Sequence, residues 1–140
     1  MKIFSVAKKP VTVHLNEPIF KVAQKMQQHN IGSVLVTKDA ELVGIITDRD
    51  IVVRAVAKNL DLAVHQAYEI MTPEPVTIDS NSEVEQAALL MAAKKVRRLP
   101  LISEGKLVGI VTLDDLARAL HHHEQLLGTL LELISSRQAA

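Results

Sequence analysis

The chain contains no cysteine, so a disulfide framework, a thiolate metal site and a cysteine nucleophile are all excluded. Tryptophan is also absent, and aromatic residues make up only 2% of the 140 residues, which leaves few rings on which nucleic-acid bases could stack. Neither sign of charge is in excess, since 16 basic residues balance 16 acidic ones. This balance gives no long-range attraction for nucleic acid or an anionic membrane.

Long hydrophobic runs are missing too. No apolar stretch approaches the roughly 20 residues of a membrane span, and residues 1–4 do not lead into the apolar core of a signal peptide. We therefore expect a cytoplasmic protein. Hydrophobic residues make up 48% of the chain and charged residues 23%, which is typical of a globular protein. The length suits one compact domain or two packed half-domains.

An internal repeat is the main feature of the sequence. Pro10-Val11-Thr12-Val13 recurs as Pro75-Val76-Thr77-Ile78, an offset of 65 residues (76 − 11). The same offset, without a gap, aligns Leu42-Val43-Gly44-Ile45 with Leu107-Val108-Gly109-Ile110. Small, polar and apolar positions stay in step across this span, so the chain is a tandem duplication.

Each copy is predicted to fold as β-α-β-β-α, which makes an α/β or α+β protein. In the first copy we predict strands at 11–14, 33–36 and 42–46 and helices from Pro18 and over 48–58. Asn16 or Glu17 could cap the helix that starts at Pro18. The second copy predicts strands at 76–78, 99–102 and 107–111 and a helix over 82–95, with Ser82 and Glu85 as a capping box. One last helix is predicted from 113 to about 135.

A short motif, Gly-h-h-Thr-x-x-Asp (h, apolar), ends the third strand of each copy, with Thr47 and Asp50 in the first and Thr112 and Asp115 in the second. Taken alone, this spacing favours a helix-capping box. The same geometry also suits a nucleoside phosphate. The start of a helix attracts phosphate, a hydroxyl can donate to it, and an acceptor-only carboxylate suits the paired hydroxyls of a ribose.

The duplicated unit with this motif resembles a tandem pair of CBS domains of the small stand-alone bacterial kind. Met71-Thr72-Pro73 and Val96-Arg97-Arg98-Leu99-Pro100 are further phrases typical of that family. The resemblance implies two pseudo-twofold-related units, with domains at 5–58 and 75–120, a linker at 59–74 and a C-terminal helix and tail at 121–140. It further implies clefts between the repeats that bind adenosine compounds, and a homodimer. From the residues themselves we expect no metal and no other cofactor, because cysteine is absent and the histidines lack ligand spacing.

The resemblance also assigns ligand contacts. Thr47 and Thr112 would contact phosphate or ribose, and Asp50 and Asp115 would contact the ribose hydroxyls. The base would lie near the strand that opens each copy, against Val11, Val13, Val76 and Ile78.

Arg97 and Arg98 stand where related modules approach phosphates, and arginine is a bidentate phosphate donor. The alternative places them at the solvated end of the helix that finishes at Lys94-Lys95, where cations complement the helix dipole. The first copy has Gly32-Ser33 in their place. The two clefts therefore differ in charge, and one is expected to prefer a more phosphorylated ligand. Asp50 and Arg54, four residues apart, could simply pair along a helix.

Two features near the C-terminus have competing interpretations. His121-His122-His123 suggests a metal, but consecutive helical residues point about 100° apart, so an exposed helix face is favoured. The last helix carries an apolar stripe that either packs on its own sheet or, as we favour, contributes to a dimer. The stripe consists of Leu116, Leu120, Leu127, Leu130, Leu131 and Ile134.

The function that the sequence favours is a non-enzymatic regulatory module that senses AMP, ADP, ATP or a related adenosine compound and signals to a partner protein. A dimeric interaction scaffold without a ligand is the alternative. An enzyme is disfavoured because the chain has no thiol, no Gly-x-x-x-x-Gly-Lys loop and no persuasive metal cluster. Nucleic-acid binding is disfavoured by the zero net charge and the few aromatic residues.

Overall fold

The computed structural model describes residues 1–135, apart from the side chains of Leu131, Leu133, Ile134 and Ser135. The chain forms two compact units. The repeat-one unit consists of residues 11–75, and the repeat-two unit combines residues 1–10 with the chain from residue 76 onward. The segment that precedes the first repeat in sequence therefore folds with the second.

The repeat-one unit contains a four-stranded sheet covered by helices, in the order β1-β2-β3-β4. Strand β1 is parallel to β2, and the other neighbours are antiparallel. A 3₁₀ turn, Ala67–Glu69, precedes the last strand. The elements in chain order are β1 (Thr12–His14), α1 (Ile19–His29), β2 (Ser33–Lys38), β3 (Glu41–Thr47), α2 (Asp48–Ile51), a π-helical turn (Val52–Val56) and β4 (Thr72–Pro73).

The repeat-two unit repeats this plan with a three-stranded sheet, in the order β5-β6-β7. Strand β5 is parallel to β6, and β6 is antiparallel to β7. A 3₁₀ turn, Ile3–Val6, lies in its N-terminal segment. The remaining elements are β5 (Ile78–Asp79), α3 (Val84–Lys94), β6 (Arg98–Ser103), β7 (Lys106–Thr112), α4 (Leu113–Ala119) and α5 (Glu124–Ser135). The predicted α+β fold is confirmed.

The two hairpins have the same register, which confirms the 65-residue offset in three dimensions. Ser33 pairs with Thr47 in the first hairpin, and Arg98 pairs with Thr112 in the second. Both hairpins carry a register shift at equivalent points, after Val36 and after Leu101. Their turns use left-handed backbone at Asp39, Ala40, Glu104 and Gly105, as a tight connection requires.

The predicted helix caps differ from those observed. Neither Asn16 nor Glu17 caps α1, because Pro18 is the N-cap residue and makes no side-chain cap bond. The N–H of the helix's first residue, Ile19, instead donates to the backbone oxygen of His65. Tertiary contact therefore replaces the side-chain cap at this helix start.

Helix α3 also begins differently from the prediction. Its N-cap is Glu83, whose N–H donates to the Gln86 side-chain oxygen at 2.7 Å. The predicted pairing of Ser82 with Glu85 is therefore wrong by one residue. Ser82 is engaged through its backbone oxygen, which accepts from the N–H of Ile3 at 2.8 Å. The N–H of Val84, the first residue of α3, donates to the backbone oxygen of Met1 at 3.0 Å, so the N-terminal segment also satisfies this helix start.

The prediction of a single helix from 113 to about 135 is also wrong. Helix α4 ends at Ala119, Leu120 has non-helical backbone angles (φ −104°, ψ 16°), and α5 starts at Glu124. The interruption lets α5 turn back and pack on α3. Leu116, Leu120 and Leu130 are each at most 1% exposed in the core of this unit. Three of the six residues of the C-terminal apolar stripe are therefore buried inside their own unit.

Each unit has a separate hydrophobic core between its sheet and helices. The repeat-one core is built around Ile19, Val22, Val34, Val36, Ile46, Ala55, Ala67 and Ile70. The repeat-two core is built around Ile3, Val84, Ala88, Met91, Leu99, Leu101, Val111, Leu116, Leu120 and Leu130. Ile3 and Ile70 show that the segments preceding the repeats supply core side chains as well as backbone bonds.

These segments also pair with the exposed edges of the hairpins. In the repeat-two unit, Lys8 and Ile110 exchange both backbone hydrogen bonds, at 2.9 and 3.0 Å. In the repeat-one unit, β4 pairs with β3 at Gly44 and Ile45. Pairing with these segments protects an edge of each hairpin.

Candidate functional site

The motif of the first repeat forms a capping box where β3 passes into α2. Thr47 is the N-cap residue, and its hydroxyl accepts from the N–H of Asp50 at 3.2 Å. The Asp50 Oδ2 accepts from the N–H of Thr47 at 2.8 Å. The capping interpretation is thus confirmed. Both side chains lie at the first turn of a helix, and the Asp50 side chain keeps 15% of its surface exposed.

The second repeat places its motif in the same geometry, where β7 passes into α4. Asp115 Oδ2 accepts from the N–H of Thr112 at 2.9 Å, and the hydroxyl of Thr112 accepts from the N–H of Asp115 at 3.3 Å. That hydroxyl is also 2.9 Å from Asp115 Oδ2 and donates to it. The Asp115 side chain is only 4% exposed.

The charge on Asp115 is stabilised against its burial. Burial by itself raises the pKa of this carboxyl, but the hydrogen bonds from the N–H and hydroxyl of Thr112 and the ammonium of Lys8 lower it below its ordinary value. The carboxylate form therefore prevails at neutral pH. As a carboxylate, Asp115 can accept hydrogen bonds but cannot donate them.

Arg97 and Arg98 lie beside the second motif. The backbone oxygen of Arg97 accepts from the N–H of Leu113 at 2.7 Å, and Arg98 pairs with Thr112 across the sheet. Both side chains are half-buried and lie beyond the end of α3 at Lys94. In the first repeat, Gly32 and Ser33 stand at the equivalent places beside Asp48 and Thr47. The motif of the second repeat therefore has two arginines beside it, and the equivalent motif of the first repeat has none at those two positions.

The four apolar residues assigned to the base divide into two pairs. Val13 and Ile78 are 5% and 8% exposed and belong to the hydrophobic cores of their units. Val11 and Val76 are half-buried at the margins of those cores. Of these residues, Val11 and Val76 keep the surface that a ligand could contact.

Three cations approach the motif carboxylates, and sequence reasoning identified only one of them. Arg54 pairs with Asp50 at 3.6 Å, as their spacing predicted, and it also donates to the backbone oxygen of Ile70 and the hydroxyl of Thr72. Lys8 and Arg118 both reach Asp115 Oδ1, at 3.1 and 3.0 Å. The three-residue spacing of Arg118 was a usable signal, whereas nothing in the sequence connects Lys8 to Asp115.

A cavity of about 260 Å³ lies beside Asp115 within the repeat-two unit. It is lined by Met1, Val6, Asp115, Arg118 and Ala119. A second cavity of about 270 Å³, in the repeat-one unit between β1 and α1, has a polar lining that includes His14, Lys21 and Lys25. Only the first borders a motif carboxylate.

The three consecutive histidines are exposed, as predicted. They lie in the turn between α4 and α5, however, and not on a helix, so the predicted helix face is wrong. The Nδ1–H of His121 donates to the backbone oxygen of Arg118 at 2.9 Å. In the part of the chain that the structure describes, no three His, Cys, Asp or Glu side chains are grouped to hold a metal ion. None of the described helices has the length and apolarity to cross a membrane.

Two curated relatives are similar to this chain over most of their length. The CBS domain-containing protein YhcV of Bacillus subtilis is 42% identical over 106 residues, covering 76% of this chain and 75% of the relative. Hypoxic response protein 1 of Mycobacterium tuberculosis is 38% identical over 109 residues, covering 77% and 76%.

Solved structures of CBS pairs resemble the fold. The CBS domain protein PAE2072 of Pyrobaculum aerophilum, complexed with AMP, matches with a TM-score of 0.75 and 27% identity over 97% of this chain and all of that one. The CBS domain pair of protein MJ0100, in complex with 5′-methylthioadenosine and S-adenosyl-L-methionine, matches with a TM-score of 0.77 and 30% identity, covering 87% and 97%.

The duplicated unit, its equivalent hairpins and the two Thr-x-x-Asp motifs agree with a match to the CBS domain model at residues 3–56 and 67–122. The predicted resemblance is confirmed. This chain belongs to the CBS domain family and carries two copies of the domain.

Proposed function

We propose that this protein is a regulatory module that binds adenosine nucleotides at its two Thr-x-x-Asp motifs and signals the bound state to a partner protein. One observation carries the proposal: both copies present a threonine hydroxyl and an aspartate carboxylate together at the first turn of a helix. A cap needs neither the partial exposure of Asp50 nor the cavity beside Asp115. The structural relatives that hold AMP or S-adenosylmethionine support adenosine as the common group.

Each side chain of the motif has a chemical role toward such a ligand. An ionised aspartate is an acceptor only, so it binds the two ribose hydroxyls and repels phosphate. The threonine hydroxyl donates to a phosphate or ribose oxygen. Val11 and Val76 supply apolar surface for the base. Arg97 and Arg98, beside Thr112, supply the positive charge and bidentate geometry that phosphate requires.

The module acts by binding rather than by turnover. The two CBS domains occupy most of the chain, and their motif side chains are a hydroxyl and a carboxylate already engaged in a cap. Signalling requires only that the ligand bind one conformation of the module more tightly than another. A dimeric interaction scaffold that binds no ligand is the alternative function.

Thermal unfolding with an extrinsic dye tests the proposal, because the chain has no tryptophan to report on its own. AMP, ADP, ATP, S-adenosylmethionine and GTP are compared. A nucleotide at 100 times its Kd stabilises the folded state by about 2.7 kcal/mol, which raises Tm by several degrees. We expect this shift for adenosine compounds and not for GTP.

The double variant D50A/D115A is expected to lose the shift. Its matched control, D48A/D114A, removes two exposed carboxylates from the same first helical turns and should retain it. If D50A/D115A is stabilised by AMP as strongly as the unsubstituted protein, the site assignment is wrong. If no nucleotide shifts Tm even at millimolar concentration, the scaffold function is favoured instead.

A further inference from the structure

The two motifs share the same residues but not the same hydrogen bonds, and this difference bears on which of them binds a ribose more readily. A ribose presents two neighbouring hydroxyls, both of which can donate. A carboxylate accepts them only through lone pairs that are not already engaged, and it has about four such positions. The free acceptor positions on Asp50 and Asp115 can therefore be compared directly.

Asp50 has an open oxygen. Its Oδ2 is engaged by the N–H of Thr47, whereas Oδ1 has only the Nε of Arg54 at 3.6 Å, beyond hydrogen-bond distance. Among the residues that the structure describes, no donor hydrogen-bonds to Asp50 Oδ1, and the hydroxyl of Thr47 has no acceptor. Arg54 is held elsewhere by Ile70 and Thr72. Asp50 therefore keeps one carboxylate oxygen that accepts no hydrogen bond and has a single, longer ion pair with Arg54.

Asp115 has no such opening. Its Oδ2 accepts from both the N–H and the hydroxyl of Thr112, at 2.9 Å each. Its Oδ1 is paired with Lys8 at 3.1 Å and with Arg118 at 3.0 Å. A ribose can bind this carboxylate only after at least one cation moves away. The donating hydroxyl of Thr112 must also turn before it can reach a ligand oxygen.

The position of Lys8 follows from the fold. Its backbone exchanges two hydrogen bonds with Ile110 on β7, which holds the side chain near the start of α4. The residue that the 65-residue offset places opposite Lys8 is Pro73, which carries no charge. Arg118 similarly corresponds to Val53. The first repeat therefore lacks both cations, and the difference is built into the sequence.

We propose that the repeat-one motif is the open adenosine site, and that Lys8 and Arg118 act as a latch on the repeat-two motif and lower its affinity for ribose. The proposal rests on the proposed function, because it ranks two sites that must first bind adenosine. It makes Lys8 a specificity-determining residue outside the motif. The repeat-two motif then binds adenosine only at a higher ligand concentration, so the module responds to two different concentrations of the ligand.

Titration calorimetry with AMP tests the ranking in single-motif proteins. D115N leaves the repeat-one motif intact, and D50N leaves the repeat-two motif intact; asparagine retains an oxygen for the threonine N–H, so each cap can persist. We expect D115N to bind AMP about threefold to tenfold more tightly than D50N, the range set by two partly exposed ion pairs. Circular dichroism checks that both variants are folded.

The latch itself is tested in the D50N background. Adding Lys8→Met should tighten AMP binding about twofold to fivefold, since it removes one competing ion pair. The control is Lys9→Met, which removes the same charge from an exposed neighbour that forms no ion pair in the described part of the chain. Arg118→Met removes the other ion pair to Asp115 and should also tighten AMP binding. The same tightening should appear with uncharged adenosine, where no phosphate can compensate.

The outcomes separate the two proposals. If the unsubstituted protein binds no AMP, both the proposed function and the latch fail. If it binds AMP but D50N binds as tightly as D115N or more tightly, the function stands and the latch is wrong. Equal effects of the Lys8 and Lys9 substitutions would likewise remove Lys8 from the specificity of the site.

Discussion

At the residue scale, identical side chains in the two repeats have different surroundings. Asp50 and Asp115 occupy equivalent positions, yet their side chains are 15% and 4% exposed. The more buried carboxylate is the one with two cation partners, as the cost of burying a charge requires. Asp50 and Asp115 are therefore equivalent in the alignment of the repeats but differ in burial and in ion pairing.

Asp115 is expected to make the stability of the protein depend on pH. The pKa of its carboxyl is lowered by folding, so its contribution is fully present above the ordinary aspartate pKa of about 3.9 and is lost as the pH falls through the lower folded value. Asp115→Asn should therefore reduce the free energy of unfolding at pH 7 by about 1–2 kcal/mol. The deficit should shrink below about pH 4.

Urea unfolding of D115N and the unsubstituted protein at pH 7 and at pH 3 measures this difference. Asp114→Asn serves as the control, because Asp114 is an exposed neighbour in the same helical turn. A D115N deficit that is as large at pH 3 as at pH 7 would show that the lost stability comes from packing rather than from the charge.

At the element scale, the hairpins were predicted well and the helix ends were not. Strand alternation and turn residues are local signals, and both hairpins form within two residues of the predicted bounds. Helix starts depended on distant partners instead: His65 for α1 and the N-terminal segment for α3. The interruption after Ala119 was missed because both sides of it are apolar and helical in pattern.

The equivalent glycines of β3 and β7 should differ in their tolerance of a side chain. A Cβ at Gly44 would collide with the Met71 sulfur and lie 3.0 Å from the Thr72 backbone oxygen, so β4 would have to move. A Cβ at Gly109 meets Ala7 Cβ at 3.3 Å and the Lys8 backbone oxygen at 3.4 Å, which requires only a small adjustment. We expect Gly44→Ala to cost about 1–3 kcal/mol and Gly109→Ala less.

Chemical unfolding of the two variants side by side checks this expectation, with each glycine acting as the control for the other. Both substitutions add the same methyl group at the same place in the repeat. A larger loss of stability for Gly109→Ala than for Gly44→Ala would mean that the N-terminal segment is held more rigidly than β4.

At the scale of the whole molecule, the segment before the first repeat folds with the second. This arrangement brings Lys8 to Asp115 and Ile3 into the repeat-two core. Two apolar side chains of the π-helical turn after α2 are exposed, Val52 at 58% and Val56 at 56%. Because three leucines of the C-terminal stripe are buried in their own unit, these valines are the better candidates for a dimer surface.

The homodimer itself stays a prediction, and sedimentation analysis tests it. We expect the unsubstituted protein to sediment at about twice the 15.4 kDa mass of the chain and the V52S/V56S variant to sediment at a lower mass. Leu127→Ser, at a half-buried position of the stripe, is the comparison and should leave the mass unchanged. The side chains of Leu131 and Ile134, also in the stripe, lie outside the described residues. A mass lowered only by Leu127→Ser would assign the dimer to the C-terminal helix.

The sequence by itself determined the duplication, the β-α-β-β-α order and the positions of the four motif residues, because each of these is expressed in local pattern or in exact spacing. The resemblance to the CBS domain family rests on the same features. Only the tertiary structure decided that Val13 and Ile78 are core residues, that α4 and α5 are separate helices, and that Lys8 pairs with Asp115. These outcomes depend on which distant segments come together. Such contacts are set by burial and backbone pairing across the whole fold, and they leave no periodic signal along the chain.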